Sequence, residues 1–229
     1  MRILLIADIH SNKPAFEEVI NHAGRVDRIL CAGDVVGYNP YPNECVQIVR
    51  ELNIECVMGN HDWASALDTP TGFNPYAQAA VHYTHRLLSR DNLNFLSGLP
   101  ERLELEVEGV RLCMYHGSPR DPLNEYILPW TPKSTLRELL DRSSGDVLIL
   151  GHTHIPMAYR LGDRYVINPG SVGQPRSRNP NSSYIILTIH DGNVEVEHRL
   201  VGYDIETVAK RIIEAGLPRF LADRLYLGV

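Results

Sequence analysis

The chain has 229 residues, a length at which one α/β domain with a substantial core is common, so we predict a single domain over residues 1–229. Its 28 acidic and 22 basic residues give a formal net charge of −6, which argues against broad electrostatic binding to nucleic acid or to an anionic membrane. No apolar run approaches the roughly 18 residues that cross a bilayer, and no signal-peptide pattern is visible. We therefore expect neither export nor membrane anchoring.

The four cysteines indicate a reduced compartment. They show no C-x-x-C spacing, and three of them lie inside apolar runs, where a free thiol packs as a small hydrophobic group. These residues are Cys31, Cys45, Cys56 and Cys113. The pattern predicts a cytoplasmic protein without disulfide bonds.

The first half of the chain alternates strands and helices. Apolar strand patterns cover residues 2–7, 28–32 and 54–58, and helical patterns cover residues 14–23, 41–52 and a stretch within 75–90. Strands separated by helices pair in parallel, so we predict a parallel arrangement of the first three strands.

After Pro100 the rhythm changes to hairpins. Strand pairs are predicted at 102–107 with 110–115, at 157–161 with 165–168, and at 183–190 with 194–200. A strand at 147–150 and helices near 132–141, 204–215 and 218–225 complete the chain. This order predicts a mixed α/β fold in which two sheets pack face to face with helices outside. Long loops at 38–43, 118–132 and 174–182 are candidates for substrate contacts.

Short polar clusters occur at the ends of the predicted strands. They are Asp8-Ile9-His10, Gly33-Asp34, Gly59-Asn60-His61-Asp62, His116-Gly117 and Gly151-His152-Thr153-His154. In open α/β sheets, ligands bind beyond the carboxyl ends of the strands, so these clusters can converge on one site.

Three of the clusters also have a structural explanation when each is considered alone. Asp8 could cap a helix beside an incidental His10, Asp34 could be a capping residue, and Asn60 could belong to a Gly-Asn turn. In extended geometry, however, Asp8 and His10 point the same way and could bind one ion. His152 and His154 have the same spacing and are harder to explain structurally.

The number and type of donors indicate a metal site with two ions. Seven donors are too many for one tetrahedral zinc with an open position, and they suit two ions that share a carboxylate. Oxygen and imidazole donors without thiolate fit manganese, iron, zinc, nickel or cobalt better than calcium or a structural zinc site. The donors are Asp8, His10, Asp34, Asn60, His116, His152 and His154.

The charge of such a site indicates its reaction. Two dications would bring four positive charges, of which Asp8 and Asp34 would offset two, leaving an attraction for hydroxide and for an anionic substrate. Two metals about 3.5 to 4 Å apart can activate a water and hold the attacking and leaving oxygens of a displacement at phosphorus. The donor set therefore predicts phosphoester hydrolysis.

The ordered motifs D-x-H, G-D, G-N-H-D, H-G and G-H-T-H over residues 3–171 resemble the calcineurin-like metallophosphoesterase superfamily. The resemblance implies a four-layer α/β/β/α sandwich of two mixed sheets flanked by helices, with a dinuclear centre between the sheets. It also implies which residues hold each ion: Asp8, His10 and His154 for the first, Asn60, His116 and His152 for the second, and Asp34 as the bridge. A metal-bridging hydroxide would be the nucleophile.

By the same resemblance His61 is a catalytic residue rather than a ligand. It would face the substrate and donate a hydrogen bond or proton to the phosphoryl or leaving-group oxygen, a role worth about 10² to 10⁴ in rate. Its neighbour Asp62 is expected to stabilise the turn rather than to act on the substrate.

Two differences from the sequence patterns of other members of the superfamily bear on the type of substrate. Residues 33–38 lack the Asp-Arg pair that follows this motif in Ser/Thr protein phosphatases, which disfavours protein phosphatase activity. Some small prokaryotic phosphodiesterases of the superfamily share the loop of residues 168–171 but lack a histidine at the position of His61. Because this chain has both features, diester and monoester substrates stay open.

Several other polar residues have weaker claims. Tyr38, Arg120, Arg176 and Arg178 lie in loops and could bind phosphate or base, although solvated loop charges are commoner. Residues 168–171 are interpreted as a turn that supports His152 and His154. The remaining histidines, His22, His82, His85, His190 and His198, are interpreted as ordinary residues.

The leading hypothesis is a metal-dependent phosphohydrolase that cleaves a small phosphodiester, nucleotide or dinucleoside polyphosphate. A phosphomonoesterase, protein phosphatase or nuclease of the same superfamily is the alternative reaction. A metal-stabilised scaffold without catalysis is the alternative from another class. We expect no stable nucleic acid complex, and the oligomeric state is open.

Overall fold

The structure, a computed structural model, describes residues 1–229 as ten strands and eight helices. In chain order they are β1 (Arg2–Ile6), α1 (Lys13–Ala23), β2 (Arg28–Cys31), α2 (Pro42–Glu51), β3 (Glu55–Cys56), α3 (Asn60–Leu67), α4 (Pro75–Leu87), α5 (Arg90–Ser97), β4 (Arg102–Val107), β5 (Val110–Tyr115), α6 (Lys133–Ser143), β6 (Val147–Ile149), β7 (Met157–Leu161), β8 (Arg164–Asn168), β9 (Ser182–His190), β10 (Asn193–Val201), α7 (Ile205–Glu214) and α8 (Arg219–Leu227).

The strands form two mixed sheets of five strands each. The first has the order β10-β9-β1-β2-β3, and the second has the order β4-β5-β6-β8-β7. The pairs β1–β2 and β2–β3 are parallel, as predicted from the alternation of strands and helices. The three predicted hairpins are also present, as the antiparallel pairs β4–β5, β7–β8 and β9–β10.

Alternating side chains of β1 explain how the layers pack. Ile3 and Leu5 point into a cluster between the two sheets, whereas Leu4 and Ile6 point to the opposite face, against α1 and α2. Burying each of these side chains contributes about 1.5–3 kcal/mol. On the far side of the second sheet, Leu136 and its neighbours in α6 cover the outer face. The predicted four-layer α/β/β/α sandwich is confirmed.

Two short helices are missing from the sequence interpretation. Helix α3 begins at Asn60, where a turn was one alternative, because the Asp62 carboxylate accepts the backbone N–H of Gly59 at 3.0 Å. Helix α5 follows Ser89, whose hydroxyl accepts the N–H of Asn92 at 3.3 Å. Both helices have only eight residues, too few for a clear helical periodicity.

A third group of helices packs beside the ends of β1 and β2. Helices α4, α7 and α8 share a buried cluster that includes Ala80, Ile212, Leu221 and the loop residue Tyr38. This packing buries Tyr38 against the C-terminal helices α7 and α8.

All four cysteines are free and buried. None of the helices combines the length and the apolar character needed to cross a membrane.

Candidate metal centre and substrate cleft

The structure brings all seven predicted donor residues together. Asp8 and His10 follow β1, Asp34 follows β2, and Asn60 opens α3 just after β3. From the second sheet come His116 after β5, and His152 with His154 after β6. All of them are buried except Asn60, which is half-buried.

The first group consists of Asp8, His10, Asp34 and His154. The Nε2 atoms of His10 and His154 lie 3.0 Å apart, and Asp8 Oδ1 lies 3.4 Å from His154 Nε2 and 3.8 Å from His10 Nε2. Two ligand atoms that are each about 2.1 Å from one ion, at a right angle, are about 3.0 Å apart. These four side chains could therefore hold a metal ion.

The second group is centred on His116. Its Nε2 atom lies 3.1 Å from Asn60 Oδ1, 3.1 Å from His152 Nδ1 and 3.3 Å from Asp34 Oδ2. The same oxygen of Asp34 lies 3.5 Å from His10 Nε2 in the first group. Asp34, His116 and His152 could hold a second ion, and one oxygen of Asp34 faces both groups.

Backbone carbonyls orient the four imidazole rings. In each ring one nitrogen lies within hydrogen-bond distance of a carbonyl oxygen, so that an N–H there donates and the other nitrogen presents its lone pair to the cluster. The carbonyls are Val36 for His10 Nδ1 at 3.0 Å, Ala32 for His116 Nδ1 at 2.7 Å, Gln174 for His154 Nδ1 at 2.6 Å, and Asn124 for His152 Nε2 at 3.1 Å.

Buried oxygens without partners show that this donor set fits cations. Neither carboxylate oxygen of Asp8 has a hydrogen-bond partner, nor has Oδ2 of Asp34. Burial raises the pKa of Asp8 to about 8. For Asp34 the same effect of burial is outweighed by His116 and His61, which hold its pKa below the usual range. Divalent cations would offset the cost of burying these oxygens.

The turns at the strand ends adopt an unusual backbone conformation. Asp8, His10, Asp34, His152 and His154 have φ values of 53°, 48°, 55°, 68° and 59°. This left-handed conformation is costly for residues other than glycine and is concentrated at functional sites. The extended geometry expected for Asp8 and His10 is therefore wrong. Their side chains converge because the chain turns sharply after β1.

His61 lies beside the two groups and packs among aromatic rings. Its ring centroid is 4.4 Å from Tyr38, 4.7 Å from Phe73 and 4.8 Å from His10, and its backbone N–H donates to Asp34 Oδ1 at 2.8 Å. Its Nδ1 atom has no hydrogen-bond partner, and burial lowers its pKa to about 4. The ring is held by packing rather than by a carboxylate.

Asp62 and the loop of residues 168–171 support the site through hydrogen bonds. The Asp62 carboxylate accepts the N–H groups of Val36 and Gly59 at 3.1 and 3.0 Å, which joins the turns after β2 and β3. Asn168 donates to the Gly151 carbonyl at 2.6 Å, next to His152. These contacts agree with the supporting roles expected from the sequence.

A cleft of about 290 Å³ opens directly onto Asn60, His61 and His152. Its lining includes residues 71–74, among them Phe73, and Tyr126 from the loop between β5 and α6. The Tyr126 ring lies 4.0 Å from that of His152. Sequence reasoning identified the second loop as a candidate for substrate contacts but missed Phe73 and Tyr126, whose positions no motif indicates.

The four loop residues with weaker claims to a role in substrate binding have different surroundings. Tyr38 packs on His10 and His61, and Arg176 lies within 3.4 Å of the Tyr38 hydroxyl. Arg120 forms ion pairs with Glu125 and Glu138 instead of facing the donor groups. Arg178 is exposed. The five histidines interpreted as ordinary residues lie outside both donor groups.

A larger groove of about 420 Å³ lies on the surface beside α1 and α2. Its lining includes the carboxylates of Glu17, Glu18, Glu51 and Asp204 and none of the seven donors. Its negative charge would repel an anionic phosphoester. The smaller cleft, beside the donors, is the better candidate for the substrate.

Comparisons with known proteins agree with this geometry. The family model of the calcineurin-like phosphoesterase superfamily domain matches residues 1–192. The uncharacterized protein MJ0912 of Methanocaldococcus jannaschii is 36% identical in an alignment 248 positions long, gaps included, which covers 99% of this chain and 98% of that protein. Phosphodiesterase YfcE of Escherichia coli is 26% identical over 194 residues, covering 80% of this chain and 85% of that protein.

Two solved structures show similarity at different levels. The crystal structure of a metallophosphoesterase from Sphaerobacter thermophilus superposes with a TM-score of 0.85 at 38% identity and covers 100% of both chains. Vps29 from Entamoeba histolytica, solved in complex with Zn²⁺, has a TM-score of 0.52 at 22% identity and covers 87% of this chain and 99% of its own. At that identity the second similarity shows the fold alone.

Proposed function

We propose that this chain, which belongs to the calcineurin-like phosphoesterase superfamily, is a dinuclear metal-dependent phosphohydrolase acting on a small phosphodiester, nucleotide or dinucleoside polyphosphate. The observation that carries the proposal is the position of Asp34 Oδ2, 3.5 Å from His10 Nε2 and 3.3 Å from His116 Nε2. A single carboxylate oxygen between two histidine-rich groups suits a bridge between two cations. The name of the Escherichia coli relative supports diester cleavage.

The proposed ligands follow the two groups. Asp8, His10 and His154 would hold one cation, Asn60, His116 and His152 the other, and Asp34 would bind both. When bound, the two cations would supply positive charge to a phosphoryl group and a water acidic enough to serve as the nucleophile. Their identity stays open among manganese, iron, zinc, nickel and cobalt.

His61 would act on the substrate from the base of the cleft. It lines the cleft beside Asn60 and His152, so a phosphoryl group bound there comes within its reach. Packing against Tyr38 and Phe73 restricts the rotation of the ring. We assign to His61 a hydrogen bond or a proton transfer to the phosphoryl or leaving-group oxygen.

The cysteines and the net charge bear on the cellular location of the protein and on its partners. Four free, buried thiols support a cytoplasmic location, and the net charge of −6 speaks against a stable complex with nucleic acid. We also propose that residues 1–229 form one domain, because helices α7 and α8, beyond the matched residues, pack against α4 and Tyr38.

A substrate panel tests the proposal. Purified protein is loaded separately with Mn²⁺, Fe²⁺, Zn²⁺, Ni²⁺ or Co²⁺ and assayed with bis-p-nitrophenyl phosphate and with p-nitrophenyl phosphate. We expect diester hydrolysis that EDTA abolishes and added metal restores, and the ratio of the two rates distinguishes a diesterase from a monoesterase. If metal-loaded protein leaves both esters intact and binds a protein partner stoichiometrically, it is a scaffold. Tight, salt-dependent DNA binding would instead indicate a nuclease.

A further inference from the structure

The cleft beside the donor groups is lined without a single Lys, Arg, Asp or Glu side chain. Its polar side walls are formed by Thr71, Asn74 and Asn124. Outside the phosphoryl position, a charged group in this cleft would therefore find no ion-pair partner and would lose hydration without compensation. The lining therefore favours an uncharged organic group over a charged one.

The two asparagines offer complementary hydrogen-bonding groups. The Oδ1 atom of Asn74 accepts the N–H groups of Tyr76 and Ala77, both at 3.1 Å, which leaves the Asn74 NH₂ group free to donate. Asn124 is the reverse case, because its NH₂ group donates to Asp121 at 3.2 Å and its Oδ1 atom is free to accept. One donor and one acceptor in an uncharged cleft suit a polar ring rather than an aliphatic chain.

Tyr126 supplies a surface on which a ring can stack. Its ring packs against His152, with centroids 4.0 Å apart and planes inclined by 33°, yet the residue is 54% exposed. An aromatic side chain that is supported by packing and still accessible can stack on a base. Because Tyr126 and His152 both line the cleft, the stacked group would lie next to the phosphoryl position.

The size of the cleft limits what enters it. Its volume of about 290 Å³ is just below the roughly 300–1,000 Å³ of pockets that enclose drug-sized ligands. Such a cleft has room for one ring system beside the phosphoryl position. Additional phosphates would also meet no cationic side chain there.

We propose that the substrate is a phosphoester that carries one uncharged planar ring, such as a phosphate ester of a single nucleoside. Tyr126 determines this specificity by stacking on the ring. The inference rests on the proposed function, because it assigns the phosphoryl group to the end of the cleft at Asn60, His61 and His152. Within the proposed substrate range it selects esters of one nucleoside.

Calorimetric binding to the Mn²⁺-loaded protein tests this proposal without requiring turnover. The two probes are adenosine 5′-monophosphate and ribose 5-phosphate, which carry the same sugar phosphate and differ in the base. We expect adenosine monophosphate to bind about tenfold more tightly, as a base–aromatic stack contributes roughly 1–3 kcal/mol. Tyr126→Ala should remove this preference, and Tyr126→Phe should retain it.

Trp130→Ala is the matched control, because Trp130 lies in the same loop and is 72% exposed but does not line the cleft. This variant should keep the preference for adenosine monophosphate. Equal affinity of the wild-type protein for both probes, or an unchanged preference in Tyr126→Ala, would overturn the proposal. Bis-p-nitrophenyl phosphate hydrolysis is measured in parallel. If the protein keeps the preference for adenosine monophosphate but hydrolyses no ester, the proposed function is refuted and the stacking site is supported. If it hydrolyses the ester but shows no such preference, the stacking site is refuted and the proposed function is supported.

Discussion

The two oxygens of Asp34 are used differently. Oδ1 accepts the backbone N–H of His61 at 2.8 Å and so contributes to the turn after β3. Oδ2 has no hydrogen-bond partner and faces His10 and His116. One side chain thus supports both the local fold and the proposed bridge, and a substitution that keeps its shape can separate the two roles.

Asp34→Asn tests the bridge. The amide retains an oxygen for the His61 N–H but removes the charge, so we expect metal affinity and turnover to fall by more than the roughly 10–100-fold that loss of a supporting partner costs. Bound metal is measured by plasma mass spectrometry and turnover with bis-p-nitrophenyl phosphate. Asp68→Asn, at an exposed carboxylate paired with His82, is the control. Full activity with two bound metals in Asp34→Asn would disprove the bridging role.

His61→Ala separates a catalytic residue from a ligand. His61 belongs to neither candidate ligand group, so its removal should leave bound metal unchanged while turnover falls about 10²- to 10⁴-fold. Bound metal and the turnover of bis-p-nitrophenyl phosphate are measured as for Asp34→Asn. His82→Ala, an exposed histidine of α4, should change neither quantity. Loss of metal from His61→Ala would show that this histidine is a ligand.

At the scale of elements, the turns that follow β2 and β3 are packed against each other. A Cβ atom added at Gly59 would lie 2.0 Å from Asp34 Oδ1 and 2.3 Å from the Asp34 backbone nitrogen. Position 59 requires glycine because there is no space for a side chain. The backbone conformation does not require glycine, since the φ of −98° is accessible to any residue. Close approach of these two turns places Asp34 beside Asn60.

Gly59→Ala should push the two turns apart. We expect a loss of stability of about 1–3 kcal/mol, which is typical of overpacking, together with reduced metal binding and activity. Gly202→Ala is the matched control, because its Cβ atom would meet nothing closer than 3.6 Å and Gly202 has no positive φ. Urea unfolding and metal content are measured for both. Equal behaviour of the two variants would contradict the packing argument.

At the scale of the whole molecule, the site exists only where the two sheets meet. The first sheet contributes Asp8 and Asp34, and the second contributes His116 and His152. Bringing them together buries carboxylate oxygens that have no hydrogen-bond partner. Bound cations would offset this cost in the folded chain, and the unfolded chain has no assembled site to bind them.

Metal should therefore raise the melting temperature. At a free metal concentration of 1,000 times Kd, one site stabilises the folded state by about 4 kcal/mol, which corresponds to roughly 8–16 °C for a chain of this size. Differential scanning calorimetry with Mn²⁺ and with EDTA measures the shift. Asp34→Asn should show a much smaller shift. An unchanged melting temperature in protein shown to contain two metals would contradict the proposed coupling of binding to folding.

The sequence by itself determined the sheets and the chemistry of the site. Apolar patterns placed β4, β5 and β7 at their observed bounds. In β4 and β7 the pattern alternates, because only one face of the strand is turned to the core. Polar residues at strand ends predicted which side chains the fold brings together, because the carboxyl ends of parallel strands meet at one edge. The order of these motifs was enough to identify the family.

Tertiary structure decided what depends on contacts between distant segments. The left-handed turns at Asp8 and His10 form because packing at the strand ends outweighs the preference of these residues for other conformations. Phe73 and Tyr126, about fifty residues apart in the chain, line one cleft only after both loops are placed by their neighbouring elements. Loop side chains carry no periodic signal, so their partners are set by three-dimensional packing rather than by any local pattern.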